Sequence, residues 1–298
     1  VIGQAIERAY ASVRDNGALV EPTRWQSVDV SKRPEAATRE VLNYTLKAAV
    51  GTEDLDQLRR EIKPNLPWAD DHFLERIGGL PLNPGVQWAK WPWGNSANSF
   101  RRAEVFGIGS TKRPDGGNEP GFDHTYMERM WPKDANLDKD GIGEDGYYPD
   151  HHRRGIRFKY GDAADVVEHL AKHPDSRQAY LPIWFPEDTG KTDVRVPCTL
   201  GYHFIHRHGF LHCTYYIRSC DLYRHFRDDV YLTVRLQLWM LDQLRRTTEV
   251  MQFGDHGPLQ SYWHGVKPGM FTMHIVSLHC FVNDARTLWP THQWRDER

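Results

Sequence analysis

The chain has 298 residues, 39% hydrophobic and 26% charged, which supplies one large or two modest cores and excludes a disordered chain. Thirty-eight Lys+Arg against forty Asp+Glu leave a net charge of −2, without the basic excess of nucleic-acid or membrane-surface proteins. Val1–Gly17 lacks the apolar core of a secretory signal and no apolar run reaches the ~20 residues of a membrane span; Cys198, Cys213, Cys220 and Cys280, with no C-x-x-C pair, suit reduced thiols, so a soluble cytoplasmic enzyme is expected.

Apolar residues at 2, 5, 6, 9, 10 and 13 predict an amphipathic helix over Ile2–Val13. Asp54–Ile62 and Ala69–Ile77 read as two more helices. Gly, Pro, Asp and Asn mark loops at Lys90-Trp-Pro-Trp-Gly, Lys112-Arg-Pro-Asp-Gly-Gly and Asp134–Pro149. Asp162 is a candidate cap for a helix carrying Ala163, Val166, Val167, Leu170 and Ala171, which Pro174 stops. Strands follow at Ala179–Phe185, Thr199–His206 and Phe210–Arg218, the last two around an Arg207-His208-Gly209 turn. Val230–Leu244 is a long apolar helix and Phe271–Val282 a final strand. Strands without regular βαβ alternation predict an α+β fold. No composition shift marks a linker, so residues 1–298 read as one domain with long insertions at about 94–149.

Four constellations invite chemistry. Asn136-x-Asp138-x-Asp140-Gly141 imitates the start of a calcium loop, but Tyr147 stands where the bidentate Glu belongs, so it reads as a solvated acidic loop. Among His203, His206, His208 and His212, the first two point to opposite faces of a strand and do not converge on a metal. Cys198, after Pro197 and near Arg195, has cations to support a thiolate, although a strand-start cysteine is more often a small core residue. Arg218 and Ser219 at a strand end have the donors to hold a phosphate; taken alone, a surface ion pair plus a turn is the favoured reading.

Taken together, Pro197-Cys198, then Arg218-Ser219-Cys220-Asp221, with His173-Pro-Asp-Ser-Arg177 upstream and Ser277-Leu-His-Cys-Phe281 downstream, resemble the thymidylate synthase superfamily. Tyr223-Arg-His-Phe-Arg-Asp-Asp-Val230 replaces the Leu-Gly-x-Pro-Phe-Asn of thymidylate synthases and is closer to phage deoxycytidylate hydroxymethylases. The resemblance is clear from about residue 155 to 282 and faint before. It implies a mixed β-sheet packed against helices, dimerising through the sheet, with 5,10-methylenetetrahydrofolate as co-substrate and no metal. Cys198 would add to C6 of the pyrimidine; Arg218 and Ser219 would hold the 5′-phosphate; Arg177 would reach a neighbouring subunit's phosphate. Asp221 would lie between base and folate, His279 would contact the sugar, and Trp131 in Glu128-Arg-Met-Trp-Pro-Lys133 resembles the tryptophan that packs on folate. Glu75, in Asp71-His-Phe-Leu-Glu-Arg, matches the proton-shuttling glutamate, with a plain helix-surface Glu as the alternative. Arg24, in Pro22-Thr-Arg-Trp, matches the mobile phosphate-binding arginine, with an ordinary loop cation as the alternative. Gln178 and Phe281 depart from the family's second arginine and its tyrosine.

Asp229 stands where the family places an asparagine that reads uracil. A carboxyl accepts from the N4 amino group of cytosine and, when protonated, donates to N3. Helix capping by Asp is the competing explanation. The polar tail Trp294-Arg-Asp-Glu-Arg298, in place of an apolar closing segment, favours water over hydride as the final reactant and so hydroxymethylation. The expected activity is a deoxycytidylate 5-hydroxymethyltransferase. The alternatives are a CMP hydroxymethyltransferase of a nucleoside pathway, a thymidylate synthase acting on dUMP and a non-catalytic nucleotide-binding relative.

Overall fold

The computed structural model describes residues 1–25, 28–82, 85–90, 111–112, 120–121, 124–133, 161–190, 196–250 and 262–294. The acidic Asn136–Gly141 motif, Arg195, the terminal residues 295–298 and most of the expected insertion lie outside the described residues.

Helix α1 (Ile2–Asn16) sets Ile2, Ala5, Ile6, Ala9 and Val13 inward at helical spacing. Strand β1 (Ala18–Val20) follows, then the short ladder β2 (Arg24–Trp25) and β3 (Val28–Asp29), then the long strand β4 (Thr38–Ala49), against which α1 packs. Helix α2 (Leu55–Ile62) starts at Asp54, whose carboxylate accepts from the Asp56 and Gln57 N–H groups at 2.9 and 3.3 Å. Helix α3 (Trp68–Ile77), the ladder β5 (Thr111–Lys112) and β6 (Pro120–Gly121), and α4 (Tyr126–Met130) come next. The second half contains α5 (Ala163–Lys172), β7 (Tyr180–Pro182), β8 (Thr199–Arg207), β9 (Phe210–Asp221), α6 (Phe226–Val250), β10 (Lys267–Phe281) and α7 (Val282–Leu288).

Six strands form one sheet in the order β1-β4-β10-β9-β8-β7. Only β9 and β10 run parallel, and α6 supplies the crossover between them; the other neighbours are antiparallel. The sheet is therefore mixed, and with helices packed on it the fold is α+β, as expected. Helix α6 lies against β9, β10, α2, α3 and α5, and its first turn meets the end of β9 at Cys220 and the segment before α3 at Asn65.

Three neighbouring strands change step at one level. On β9 the buried series Leu211, Cys213, Tyr215, Ile217 resumes at Cys220; on β10 Phe271, Met273, Ile275 resumes at Leu278. On β4, Asn43 takes a left-handed φ of 54° beside this level. The step frees Arg218 and Ser219 from the core alternation.

Three expectations shift. The strand expected over Ala179–Phe185 is only Tyr180–Pro182: Pro182 has no N–H, and the Ile183 and Trp184 N–H groups both turn to Leu200 O at 3.0 and 3.1 Å. The hairpin extends to Arg207 and Asp221, its tip formed by His208 and Gly209 at φ 52° and 76°. Helix α6 begins at Phe226, so Asp228 and Asp229 stand within its first turn instead of opening it. No helix among the described residues is long and apolar enough to cross a membrane.

Candidate active site

Cys198 is a free, half-buried thiol on the residue before β8; the other three cysteines are free and buried. Its carbonyl accepts the Arg218 N–H from the adjacent strand at 2.9 Å. The Arg218 side chain folds back over the same segment, Nε donating to Pro197 O at 2.9 Å and Nη2 to Val196 O at 3.1 Å. Its guanidinium also lies 5.6 Å from the Trp184 ring centre. Residues twenty apart in sequence are thus locked together, and Arg218 orders the approach to the thiol.

Asp229 comes in from α6. Its Oδ2 accepts from the Cys220 thiol at 3.5 Å, and its backbone N–H bonds His225 O at 2.7 Å. The carboxyl is therefore engaged with β9 and not with the helix's backbone donors. Burial pushes its pKa up to about 7; Arg76 opposes the rise, Asp228 adds to it, and Asp221 adds less. Asp228 is clamped by Asn65, whose N–H and Nδ2 donate to Oδ1 and Oδ2 at 2.8 and 2.7 Å.

The parallel register of β9 and β10 sets Ser219 beside Ser277 and Asp221 beside His279. Asp221 Oδ1 accepts from the Tyr223 and Arg224 N–H groups at 3.0 and 3.1 Å, turning the chain into α6. The Leu222 N–H bonds His279 O at 2.7 Å. Ser277 donates to Glu40 of β4 and lies 3.5 Å from His279 Nδ1. Ser277 stands in a motif noted in the sequence, but Glu40 escaped the sequence reading, because only strand pairing carries it to His279.

Glu75 does not stand alone on α3. Its Oε2 pairs with His72 Nδ1 at 3.2 Å and its Oε1 accepts the Gln87 N–H at 3.2 Å, against Gly85, where a Cβ would lie 2.4 Å from the carboxylate. Burial opposes its ionised form, but His72 and Gln87 outweigh it and hold the carboxyl below its ordinary range. His72 Nε2 receives Arg76 Nε at 2.9 Å, and the Arg76 guanidinium stacks 4.3 Å over the Tyr126 ring. Thr199, next to Cys198, donates to the Tyr126 hydroxyl at 3.2 Å and meets the Tyr215 hydroxyl at 2.8 Å. Burial, reinforced by the Cys198 and Asp229 groups nearby, keeps the Tyr126 phenol protonated. Arg76, Tyr126 and Thr199 were not singled out from sequence, since a lone helical Arg or strand-start Thr carries no motif.

Trp131 is buried, with Nε1 donating to Arg76 O at 2.7 Å and its ring edge-on to Trp239. Arg129 on the same short helix makes a buried two-pronged pair with Asp188 at 3.0 and 2.9 Å, fixing α4 to the segment after β7. Arg177 is exposed; its carbonyl accepts from His203, and it lines a shallow hollow with His169, His173 and Ser176. Arg24 lies exposed on β2, paired in register with Asp29, with no described contact to the other site residues. The structure thus gathers Cys198, Arg218, Ser219, Asp221, Asp229 and His279 around the β9 end, sets Glu75 and Trp131 behind them, and leaves Arg24 and Arg177 at the surface. No group of three or more His, Cys, Asp or Glu among the described residues is arranged to hold a metal.

The mixed sheet brings a thiol, an arginine folded over the thiol's own segment, and a buried carboxyl to one strand end. The model of the thymidylate synthase family matches residues 50–227, more than half of the chain, and the chain belongs to that family. Its members take their carbon from methylenetetrahydrofolate and deliver it to a pyrimidine nucleotide. The match begins well before residue 155, where the resemblance becomes clear in the sequence, and ends just short of Asp228 and Asp229; Arg24 and the Ser277–Phe281 motif lie outside it. No curated protein matches the chain.

Proposed function

We propose that the protein transfers the one-carbon unit of methylenetetrahydrofolate to C5 of a cytosine nucleotide, dCMP first, and releases the 5-hydroxymethyl product. The observation that carries this reading is the Asp229 carboxyl, raised to about 7 and set against β9 beside the Cys198 segment. A carboxyl half-protonated at neutral pH matches cytosine, accepting from N4–H and donating to N3. Cys198 adds to C6 and makes C5 nucleophilic; Arg218 and Ser219 bind the phosphate, and His279 the sugar. Asp221 lies between base and folate, and Trp131 backs the folate side. Glu75 acts from behind through His72. Arg24 supplies a further phosphate contact.

The half-buried sheet face bearing His203, Thr214, Tyr216 and His274 suits a second copy of the chain, which would bring Arg177 to the neighbouring phosphate. One observation favours CMP as a second reading. Glu40, linked through Ser277 to His279, puts a carboxylate near the sugar position, where it suits a hydroxyl-rich ribose. Incubation with methylenetetrahydrofolate and each of CMP, dCMP and dUMP, with products identified by mass, tests both. A hydroxymethylated cytosine nucleotide is expected. A methylated dUMP product, or binding of nucleotide without turnover, overturns the reading.

A further inference from the structure

Ser176, Arg177 and Gln178 link α5 to β7, and the backbone of this short stretch is held at every residue. The Ser176 N–H bonds His173 O at 3.0 Å and the Tyr180 N–H bonds Gln178 O at 2.8 Å. Ser176 Oγ accepts the Gln178 N–H at 3.0 Å, which closes a turn around Arg177. Two imidazoles then grip the turn from different elements. His203 of β8 meets Arg177 O at 2.8 Å; a carbonyl only accepts, so His203 Nε2 carries the proton. His169 of α5 meets Ser176 Oγ at 2.6 Å through its own Nε2. His203 is placed in turn by strand register, opposite Tyr180, whose ring it meets edge to face at 6.1 Å.

The side chain of Arg177 is treated differently from its backbone. Arg177 is exposed, and among the described residues no carboxylate pairs with its guanidinium, although Asp175 lines the same shallow hollow. A fixed backbone carrying an unengaged cation suits a ligand from outside the chain, because the loop is ordered before the ligand arrives. Gln178 is uncharged, so this turn offers one guanidinium and no second cation to share an anion with it. A lone arginine depends on where its backbone sets it.

We propose that His203 and His169 are positioning residues for a nucleotide phosphate bound by the neighbouring subunit, fixing the turn from which Arg177 reaches it. The proposal rests on the reading above in which Arg177 crosses to a second copy. His203 gives the direct hold, since its bond falls on the carbonyl of Arg177 itself; His169 acts one residue away, through Ser176. With the peptide fixed, the guanidinium has only its own side-chain rotations to lose on binding. His203 stands on the same half-buried sheet face as Thr214, Tyr216 and His274, so one imidazole ties the turn to the face proposed for dimerisation.

The test uses the full chain and whichever of dCMP, CMP and dUMP the wild type turns over, with kcat and KM measured for Arg177→Ala, His203→Phe and the double variant. Phenylalanine keeps a ring against Tyr180 and loses the donor. Arg177→Ala should raise KM about tenfold or more and His203→Phe about three- to tenfold, both with kcat near the wild type. The double variant should match Arg177→Ala, because no guanidinium is left to place. His203→Gln, whose amide nitrogen donates from a similar position, should keep KM close to the wild type. Co-expression of His203→Phe with Cys198→Ser chains should restore a site of wild-type KM, since the intact thiol then receives its arginine from the chain with an intact His203; Arg177→Ala with Cys198→Ser should do the same. Where His203→Phe does not fold, Ser176→Ala, which removes the hydroxyl between His169 and the Gln178 N–H, takes its place. An unchanged KM in His203→Phe, effects that multiply in the double variant, or a failure of its hybrid alone overturns the positioning role and leaves the Arg177 contact standing. An unchanged KM in Arg177→Ala, a failure of both hybrids, or a wild type that turns over none of the three nucleotides overturns the crossing arginine and the proposal with it.

Discussion

Cys220 and Asp229 meet where β9 ends and α6 begins, the thiol donating to Oδ2 at 3.5 Å. That contact points the carboxyl away from the helix's own N–H groups and fixes its orientation. An acid held so, with a pKa near 7, can present either protonation state at neutral pH. Asp229→Asn should therefore lose most activity on dCMP and gain on dUMP, because the amide offers its carbonyl to N3–H and its NH₂ to O4. Mismatched buried polar groups cost about 1–3 kcal/mol each, so two of them move the preference by about two to four orders of magnitude. The kcat/KM ratio for the two nucleotides in both proteins decides it. A variant with an unchanged ratio removes Asp229 from base reading.

The same carboxyl makes a stability prediction. Its folded-state pKa is raised from 3.8 to about 7, so the folded state holds the proton more tightly than the unfolded chain does. The stability tied to that proton is full below about pH 4 and is lost as pH rises through 7, by up to ~4 kcal/mol at about 1.4 kcal/mol per pH unit. Asp229→Asn lacks this loss. Denaturant unfolding of both proteins at pH 5 and pH 8 should show the variant gaining on the wild type with rising pH; parallel curves would contradict the raised value.

Cys198→Ser should abolish turnover while leaving nucleotide affinity within a few fold, because the hydroxyl is a far weaker nucleophile at neutral pH. Calorimetric titration with dCMP alongside product analysis separates the two effects. Product formation comparable to the wild type would end the covalent mechanism.

Arg218→Ala should do more than weaken phosphate binding. The side chain also ties down Pro197 O and Val196 O, so the approach to the thiol loosens when it is removed. KM for the nucleotide should rise, and kcat should fall with it. Charge-assisted hydrogen bonds contribute about 1.5–3 kcal/mol each. A rise in KM with kcat intact would mean that Arg218 binds phosphate only and does not order the Cys198 segment.

Asp188→Ala leaves the Arg129 guanidinium buried without its two-pronged partner. Breaking a buried pair from one side costs about 3–5 kcal/mol, and denaturant unfolding should show a loss of that size. A loss below about 1 kcal/mol, the range of exposed pairs, would mean that α4 is held by its apolar contacts.

Much of this protein was legible in its order of residues. The helical spacing of α1, the His208-Gly209 turn and the family motifs at Cys198 and Arg218 are local, set by backbone and side-chain preferences within a few residues. The α+β class followed from the spacing of strands and helices. The long strand β4 was missed, although Tyr44, Leu46, Ala48 and Val50 alternate with period two, because that pattern is short of context until β10 pairs with it. Charge relationships were the part that sequence could not reach. Whether Asp229 caps a helix or faces β9, whether Glu75 is a surface residue or the far end of a clamp on Arg76, and whether Glu40 has anything to do with His279 all depend on which groups share a buried site. Desolvation and Coulomb forces act through space, so elements distant along the chain had to be packed together before those carboxyls acquired their protonation states and their partners.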